Sequence, residues 1–283
     1  MKHSKSLALI VCYIGKFPWY FKYFVHSCKY NPTVDFYILT DDDTYGGPLP
    51  ENVKLVYTSL EEISVIATEK LGLPVQITYA YKLNDFKPAY GLMFSNILAN
   101  YDWWGYIDID IILGDIRNFI TDELLDNYEL ICPKPDWIPG CFLLVKNNDK
   151  MNTLFRHSKD HEKIFTSEKY YNLDETNFSQ DYFADGLTYL EVKTEIESMM
   201  HVVKKLEEVN FINPYFDLHM VDSNPGKLKW IDGKMYYSSR FEILLYHLIA
   251  LKLFYAQNTN RIAVPNSFTI SPTRIYHKKI KLS

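Results

Sequence analysis

Apolar positions along the chain fall into short runs separated by turn residues. Leu7 to Ile14 is an unbroken apolar run closed by Gly15, which predicts a strand buried on both faces. Trp19 to Cys28 then reads as an aromatic-rich helix. Val34 to Leu39 predicts a second strand ending in Thr40-Asp41-Asp42-Asp43, and Val53 to Tyr57 predicts a third. Ser59, with Glu61 and Glu62 after it, has the composition of a helix start: a hydroxyl to cap free amides and two acids against the helix dipole. Tyr79 to Asn100 is expected to be helical with a break near Pro88, followed by a strand over Trp103 to Ile112. Ile116 to Ile120, Leu130 to Cys132 and Phe142 to Lys146 read as further extended pieces. A helix near Lys150 to His157, a loop-rich stretch and a helical Phe241 to Tyr255 complete the pattern. Alternating strands and helices of this kind predict an α/β fold, with a mixed, mostly parallel sheet flanked by helices and an irregular C-terminal portion. Without an internal repeat or a clear linker, residues 1–283 are expected to form one domain.

Composition narrows the function classes. Hydrophobic residues at 47% and charged residues at 23% exclude a disordered or fibrous chain. A net charge of −5 argues against a nucleic-acid binder, whose domains carry a basic excess. The best candidate for a membrane span, Phe241 to Ala256, is interrupted by Glu242, His247 and Lys252. The basic start and apolar run of residues 1–14 look superficially like a signal peptide. No small-residue cleavage site follows, and Gly15-Lys16-Phe17-Pro18 suits the end of a first strand instead. Cys12, Cys28, Cys132 and Cys141 lack metal-ligand spacing, so they are expected to be reduced thiols of a cytoplasmic protein. Aromatic content is high, with 23 Tyr, 17 Phe and 5 Trp. Either a coding bias supplied these rings, or some of them line a cleft that stacks on bases or sugars.

The sharpest chemistry lies in Tyr106-Ile107-Asp108-Ile109-Asp110-Ile111-Ile112-Leu113-Gly114-Asp115. On a strand, Asp108 and Asp110 would share one face while the isoleucines take the other. Two carboxylates one pleat apart at the end of an apolar strand call for a positive partner. Mn²⁺ or Mg²⁺, which takes one or two carboxylates and fills its shell with water and phosphate oxygens, fits that demand. An exposed acidic strand end is the plainer explanation. A phosphatase of the haloacid-dehalogenase type also uses two such aspartates, but on a first strand and with Thr or Val where this chain has Ile112.

Three segments, the last of which includes this stretch, carry a resemblance. Gly15-Lys16-Phe17-Pro18-Trp19-Tyr20-Phe21, with Ser27-Cys28, Asn31-Pro32 and Leu39-Thr40-Asp41-Asp42, is the first; Tyr81-Lys82-Leu83-Asn84-Asp85-Phe86-Lys87-Pro88-Ala89-Tyr90-Gly91 is the second. Tyr101-Asp102-Trp103-Trp104-Gly105-Tyr106-Ile107-Asp108-Ile109-Asp110 with Gly114-Asp115-Ile116 is the third. Together they resemble a bacterial family of glycosyltransferase-like proteins of cell-envelope polysaccharide loci, related to nucleotide-sugar transferases of the GT-A fold. The resemblance spans most of residues 7 to 120 and weakens after 150. It implies a metal-dependent glycosyltransferase that moves a sugar from a nucleotide-sugar, a UDP-sugar by expectation, to a hydroxyl of an envelope or capsular polysaccharide or lipopolysaccharide. Residues 1–120 would then form the nucleotide-sugar and metal half, and 121–283 the acceptor half. An inactive glycan-binding protein of the same fold is the alternative.

The same resemblance assigns candidate residues. Cys12, Tyr13, Gly15 and Asp41 or Asp42 would lie near the nucleotide, Asp108 and Asp110 at the metal, and His247 would complete the metal shell, with His219 as the fallback. Lys82 would neutralise donor phosphates or else pair with Asp85 three residues on; for Lys87 the structural role is preferred. Asp174 or Glu175 would serve the acceptor hydroxyl. The turn at Pro139-Gly140-Cys141 with Trp137 would floor the transferred sugar or else be a plain turn. Arg274, Lys278, Lys279 and Lys281 form a basic tail, which would hold the protein at the inner face of the membrane beside a lipid-linked acceptor or else fray in solvent.

Overall fold

The computed structural model describes residues 4–222, 226–255 and 263–277. Seven strands build a central sheet: β1 (Leu7–Tyr13), β2 (Val34–Thr40), β3 (Val53–Tyr57), β4 (Trp103–Ile107), β6 (Leu130–Cys132), β7 (Phe142–Lys146) and β8 (Pro214–Phe216). They lie in the order β3-β2-β1-β4-β7-β6-β8. Only β7 runs against the others, so the sheet is mixed and mostly parallel, as the alternating pattern predicts. Side chains of β1 alternate between two cores: Ala8 and Ile10 pack on one face of the sheet, and Leu7, Leu9 and Val11 on the other. A strand covered on both faces reads as the continuous apolar run seen in the sequence.

Helix α1 (Phe21–Cys28) packs on one face of the sheet through Phe21, Phe24, Val25 and Cys28. Helix α2 (Leu60–Leu71) covers the other through Ile63, Ala67 and Leu71. Ser59 caps α2 as expected: its hydroxyl accepts from the Glu62 amide at 3.1 Å, and the Glu62 carboxylate accepts from the Ser59 amide at 2.8 Å. All four cysteines are free thiols, three of them buried. Among the described residues no helix is long and apolar enough to cross a membrane.

Four expected elements differ, and each difference bears on the site. The strand over Trp103 to Ile112 ends at Ile107; Asp108 to Asp110 form a turn, and β5 (Ile111–Leu113) joins another sheet. Strand alternation therefore does not orient the two aspartates. Ile116–Phe119 is a helical turn rather than a strand, because Asp115 caps it by accepting from the Asn118 amide. The stretch from Tyr79 breaks into a 3-10 segment, Ala80–Ala89, and two short helical turns, Tyr90–Met93 and Ser95–Leu98.

Phe241 to Tyr255, expected as one helix, holds strands β12 (Phe241–Ile243) and β13 (Leu245–His247) and the helical turn Leu251–Phe254. Sheet pairing overrides the helical reading of the apolar run. β13 pairs with β5 and with β9 (Met220–Val221) in a three-stranded sheet. β12 edges a five-stranded antiparallel sheet with β11 (Lys234–Tyr237), β10 (Leu228–Ile231), β14 (Ser267–Ser271) and β15 (Arg274–His277). Of the basic tail, Arg274 lies in β15, while Lys278, Lys279 and Lys281 lie outside the described residues.

Candidate functional site

In the strand order β3-β2-β1-β4 the chain leaves β1 to one side and returns beside it on the other. In open α/β sheets the crevice at the carboxyl ends of strands at such a point is the usual ligand site. A cavity of about 310 Å³ opens there, lined by the end of β1 (Val11 to Ile14) and by Asp108, Ile109 and Asp110 beyond β4. Its other walls come from Tyr81 and Lys87, from Tyr170, Asp174 and Glu175, and from His247 and Lys252.

Two pairings assemble the acidic wall. β13 runs antiparallel to β5 with His247 opposite Ile111, so the imidazole falls beside Asp110. β9 runs parallel to β13 with Val221 opposite Tyr246, so Asp222 falls beside His247. His247 Nε2 lies 3.3 Å from Asp110 Oδ2, and Nδ1 lies 3.3 Å from Asp222 Oδ1. One ligating atom from each of Asp108, Asp110 and His247 lies within 4.8 Å of the others. Two carboxylate oxygens and an imidazole nitrogen on an open cavity wall form a donor set that fits Mn²⁺ or Mg²⁺. Asp222 and His247 repeat the usual pairing in which a carboxylate orients a ligating imidazole.

The protein supplies its own counter-charges on this wall. Lys252 Nζ reaches Asp110 Oδ2 at 2.5 Å. Burial raises the Asp110 carboxyl pKa, but His247 and Lys252 outweigh it and hold that pKa below the ordinary carboxylate range. Burial likewise lowers the His247 pKa, and Cys141, Asp110 and Asp222 raise it well above the ordinary imidazole value. Asp222 follows the same logic: burial acts upward, and His247 with Lys134 brings its pKa down to about 2.

Across the cavity, Lys87 Nζ lies 2.7 Å from Asp108 Oδ1, 2.7 Å from the Gly140 carbonyl and 3.8 Å from Asp174 Oδ2. Asp174 is 1% exposed and its Oδ1 has no hydrogen-bond partner among the described residues. Burial raises its pKa well above the ordinary carboxylate range; Lys87 opposes that shift and Glu175 adds to it. Glu175 Oε1 accepts from the Gly140 amide at 2.7 Å. A Cβ at position 140 would collide with both Glu175 and Asp174, so glycine is required where this loop meets the acidic pair.

The remaining expected residues divide. Tyr13 and Cys12 line the cavity. Gly15, at φ 118°, takes a backbone conformation that favours glycine and donates its amide to Asp41 at 2.7 Å. Asp42 is buried and accepts from Thr44, the Phe17 amide and Lys16, so it braces the loop after β1. Lys82 is fully buried, away from the cavity: it donates to Asp85 at 2.9 Å and to the carbonyls of Ile164 and Lys169. Asp85 in turn accepts from the amides of Tyr171 and Leu173, which fixes the segment that presents Asp174. His219 packs against Phe119 and stands outside the Asp108, Asp110 and His247 group. Trp137 lies under Lys134, whose Nζ is 3.8 Å from the ring centroid, and not on the cavity wall.

The sequence reading preferred a structural role for Lys87 and passed over Lys252 and Asp222, whereas the structure puts Lys87 and Lys252 on the cavity wall and Asp222 against His247. Lys87 carried a faint signal as a charged residue between Phe86 and Pro88, shortly before the strand that leads to Asp108. Lys252 and Asp222 carried none, because only the β9-β13-β5 pairing brings them to Asp110 and His247.

Residues 9–279 match a family described as being of unknown function, DUF6625. The chain belongs to that family. No curated protein matches this DUF6625 member. Among solved structures, one of the galactosyltransferase LgtC in complex with donor and acceptor sugar analogues matches it at a TM-score of 0.33 and 13% identity, over 60% of this chain and 71% of that one.

Proposed function

We propose that this DUF6625 member is a metal-dependent glycosyltransferase that moves a sugar from a nucleoside-diphosphate donor to a hydroxyl of a glycan. One observation carries the reading: the Asp108, Asp110 and His247 donor atoms lie within 4.8 Å of one another on the wall of a cavity at the switch point of the sheet. The motifs of residues 7 to 120 support the same class. Asp108, Asp110 and His247 would hold Mn²⁺ or Mg²⁺, which when bound supplies Lewis-acid stabilisation of a departing diphosphate.

The chain's own groups account for the rest. Lys87 and Lys252 place fixed positive charge on opposite sides of the aspartate turn, where negative charge on a leaving phosphate is stabilised without reorganisation. Asp222 holds the His247 ring in place. Asp174, whose pKa burial raises, is suited to take a proton from an attacking hydroxyl. Glu175, anchored on Gly140, stands beside it as the second carboxylate. Tyr13 and the loop braced by Asp41 and Asp42 would border the nucleoside, with UDP as the expected donor nucleotide.

A thermal-shift series with nucleoside diphosphates, with and without Mn²⁺, tests this reading. A base-specific shift that requires Mn²⁺ and disappears in Asp110→Ala is expected. An equal shift in that variant or under excess chelator would overturn the metal role. Glycan binding with no metal-dependent nucleotide binding would instead mark a glycan-binding protein.

A further inference from the structure

Beside the acidic pair, three aromatic rings run from the cavity wall to the surface. Tyr81 and Tyr170 line the cavity and meet edge to face, with ring centroids 4.8 Å apart and planes at 78°. Tyr170 meets Phe178 in the same way at 5.6 Å and 84°. The two outer rings are left in solvent, Tyr81 at 62% and Phe178 at 60% exposure. Single exposed rings are ordinary, but a contiguous exposed aromatic row that begins inside a cavity marks a contact surface.

The backbone holds this row at a cost. Phe178 sits at φ 62° and Asn172 at φ 56°, conformations that disfavour a bulky side chain in particular. Asn172 compensates by bridging two of the rings. Its side-chain oxygen accepts from the Phe178 amide at 2.9 Å, and its amide nitrogen donates to the Tyr170 hydroxyl at 2.9 Å. The same residue therefore couples the rings to the loop that carries Asp174. Core packing gives no reason for this strain, because Phe178 rests only its ring edge-to-face on Tyr170 and is otherwise largely exposed.

We propose that Tyr81, Tyr170 and Phe178 form a stacking platform for a pyranose ring of the acceptor glycan. The proposal rests on the transferase reading and assigns its acceptor side. A pyranose offers an apolar C–H face and a rim of hydroxyls, so its site needs aromatic surface together with a polar group at the edge. Asp174 and Glu175, which line the same cavity as Tyr81 and Tyr170, supply the carboxylates at that edge. The donor side is bounded by the aspartate turn, whereas the aromatic row leads outward, as a chain of several sugars requires.

Saturation-transfer NMR with lactose, cellobiose, maltose and N,N′-diacetylchitobiose tests the platform on the full chain. At least one disaccharide is expected to bind, with its ring protons receiving the transfer. Phe178→Gly, which removes the ring without new backbone strain, is expected to weaken that binding by about fivefold or more. Tyr81→Ala is expected to do likewise, and Phe178→Trp to retain it. The Mn²⁺-dependent nucleotide shift is to be measured on Phe178→Gly in parallel, and it should persist. If that shift persists while no disaccharide binds, or binding ignores Phe178 and Tyr81, the platform is overturned and the transferase reading stands. If the platform binds sugar but wild type gives no nucleotide shift, the transferase reading falls and the sugar site remains.

Discussion

Lys252 Nζ and His247 Nε2 converge on one oxygen, Asp110 Oδ2, at 2.5 Å and 3.3 Å. A lysine thus occupies a carboxylate of the proposed cation site, so under that proposal the two would compete. Lys252→Met is expected to raise affinity for Mn²⁺ alone by roughly tenfold, the scale of one ion pair in a partly buried site. The same change should weaken nucleoside-diphosphate binding, because a positive charge is lost from the wall. Calorimetric titration of each ligand separates the two effects; an unchanged Mn²⁺ affinity would show that the lysine does not guard the site.

Lys87 joins Asp108 to Asp174 and is itself nearly buried. In Lys87→Met the two carboxylates face each other without their shared cation. Turnover, followed as release of the nucleoside diphosphate, is expected to fall by roughly 10²–10³, the usual cost of losing one preorganised charge. Nucleotide affinity should change far less than turnover.

The pair Lys82 and Asp85, both fully buried, is expected to matter for stability first and activity second. Asp85→Asn leaves the Lys82 charge unmatched and should cost about 3–5 kcal/mol in urea unfolding. The double variant Lys82→Met, Asp85→Leu removes both charges and should recover most of that loss. Activity should not return with it, since the amides of Tyr171 and Leu173 lose the carboxylate that sets the Asp174 loop. Full recovery of turnover in the stable double variant would disprove the positioning role.

Acid sensitivity is expected to trace in part to His26. Burial, aided by Lys29, lowers its pKa to about 4, and its Nε2 is buried beside Tyr30 and Trp230 without a partner among the described residues. An unfolded histidine titrates near 6.5, so between that pH and about 4 the unfolded chain binds the extra proton. Stability contributed by the neutral ring is present above pH 6.5 and is lost as pH falls through this window. His26→Phe should flatten the decline in Tm between pH 7 and 4. An unchanged slope would assign the loss to other groups.

Much of the scaffold was legible because its signals are local. The apolar run Leu7 to Ile14 marks a strand with core on both faces, and Ser59 with Glu62 marks a helix start through contacts three residues apart. Asp108 and Asp110 stood out because two carboxylates beside a buried strand demand a cation wherever the chain takes them. Their geometry was not legible. The turn over Asp108 to Asp110 arises because the chain leaves the main sheet at Ile107 to pair Ile111–Leu113 with Leu245–His247.

The sequence by itself determined an α/β chain with an acidic site at the end of β4 and an excess of aromatic rings around it. Tertiary structure alone decided what faces those acids. The apolar stretch around His247 fits helix and strand patterns alike, and pairing with β5 and β9 selects the strands. That pairing brings His247, Lys252 and Asp222 to Asp110 across more than a hundred residues of chain. Lys82 and Lys87 show the same division: five residues apart and alike in type, they point to different sides of a helical segment, and the packing around each decides that one is locked in the core while the other lines the cavity.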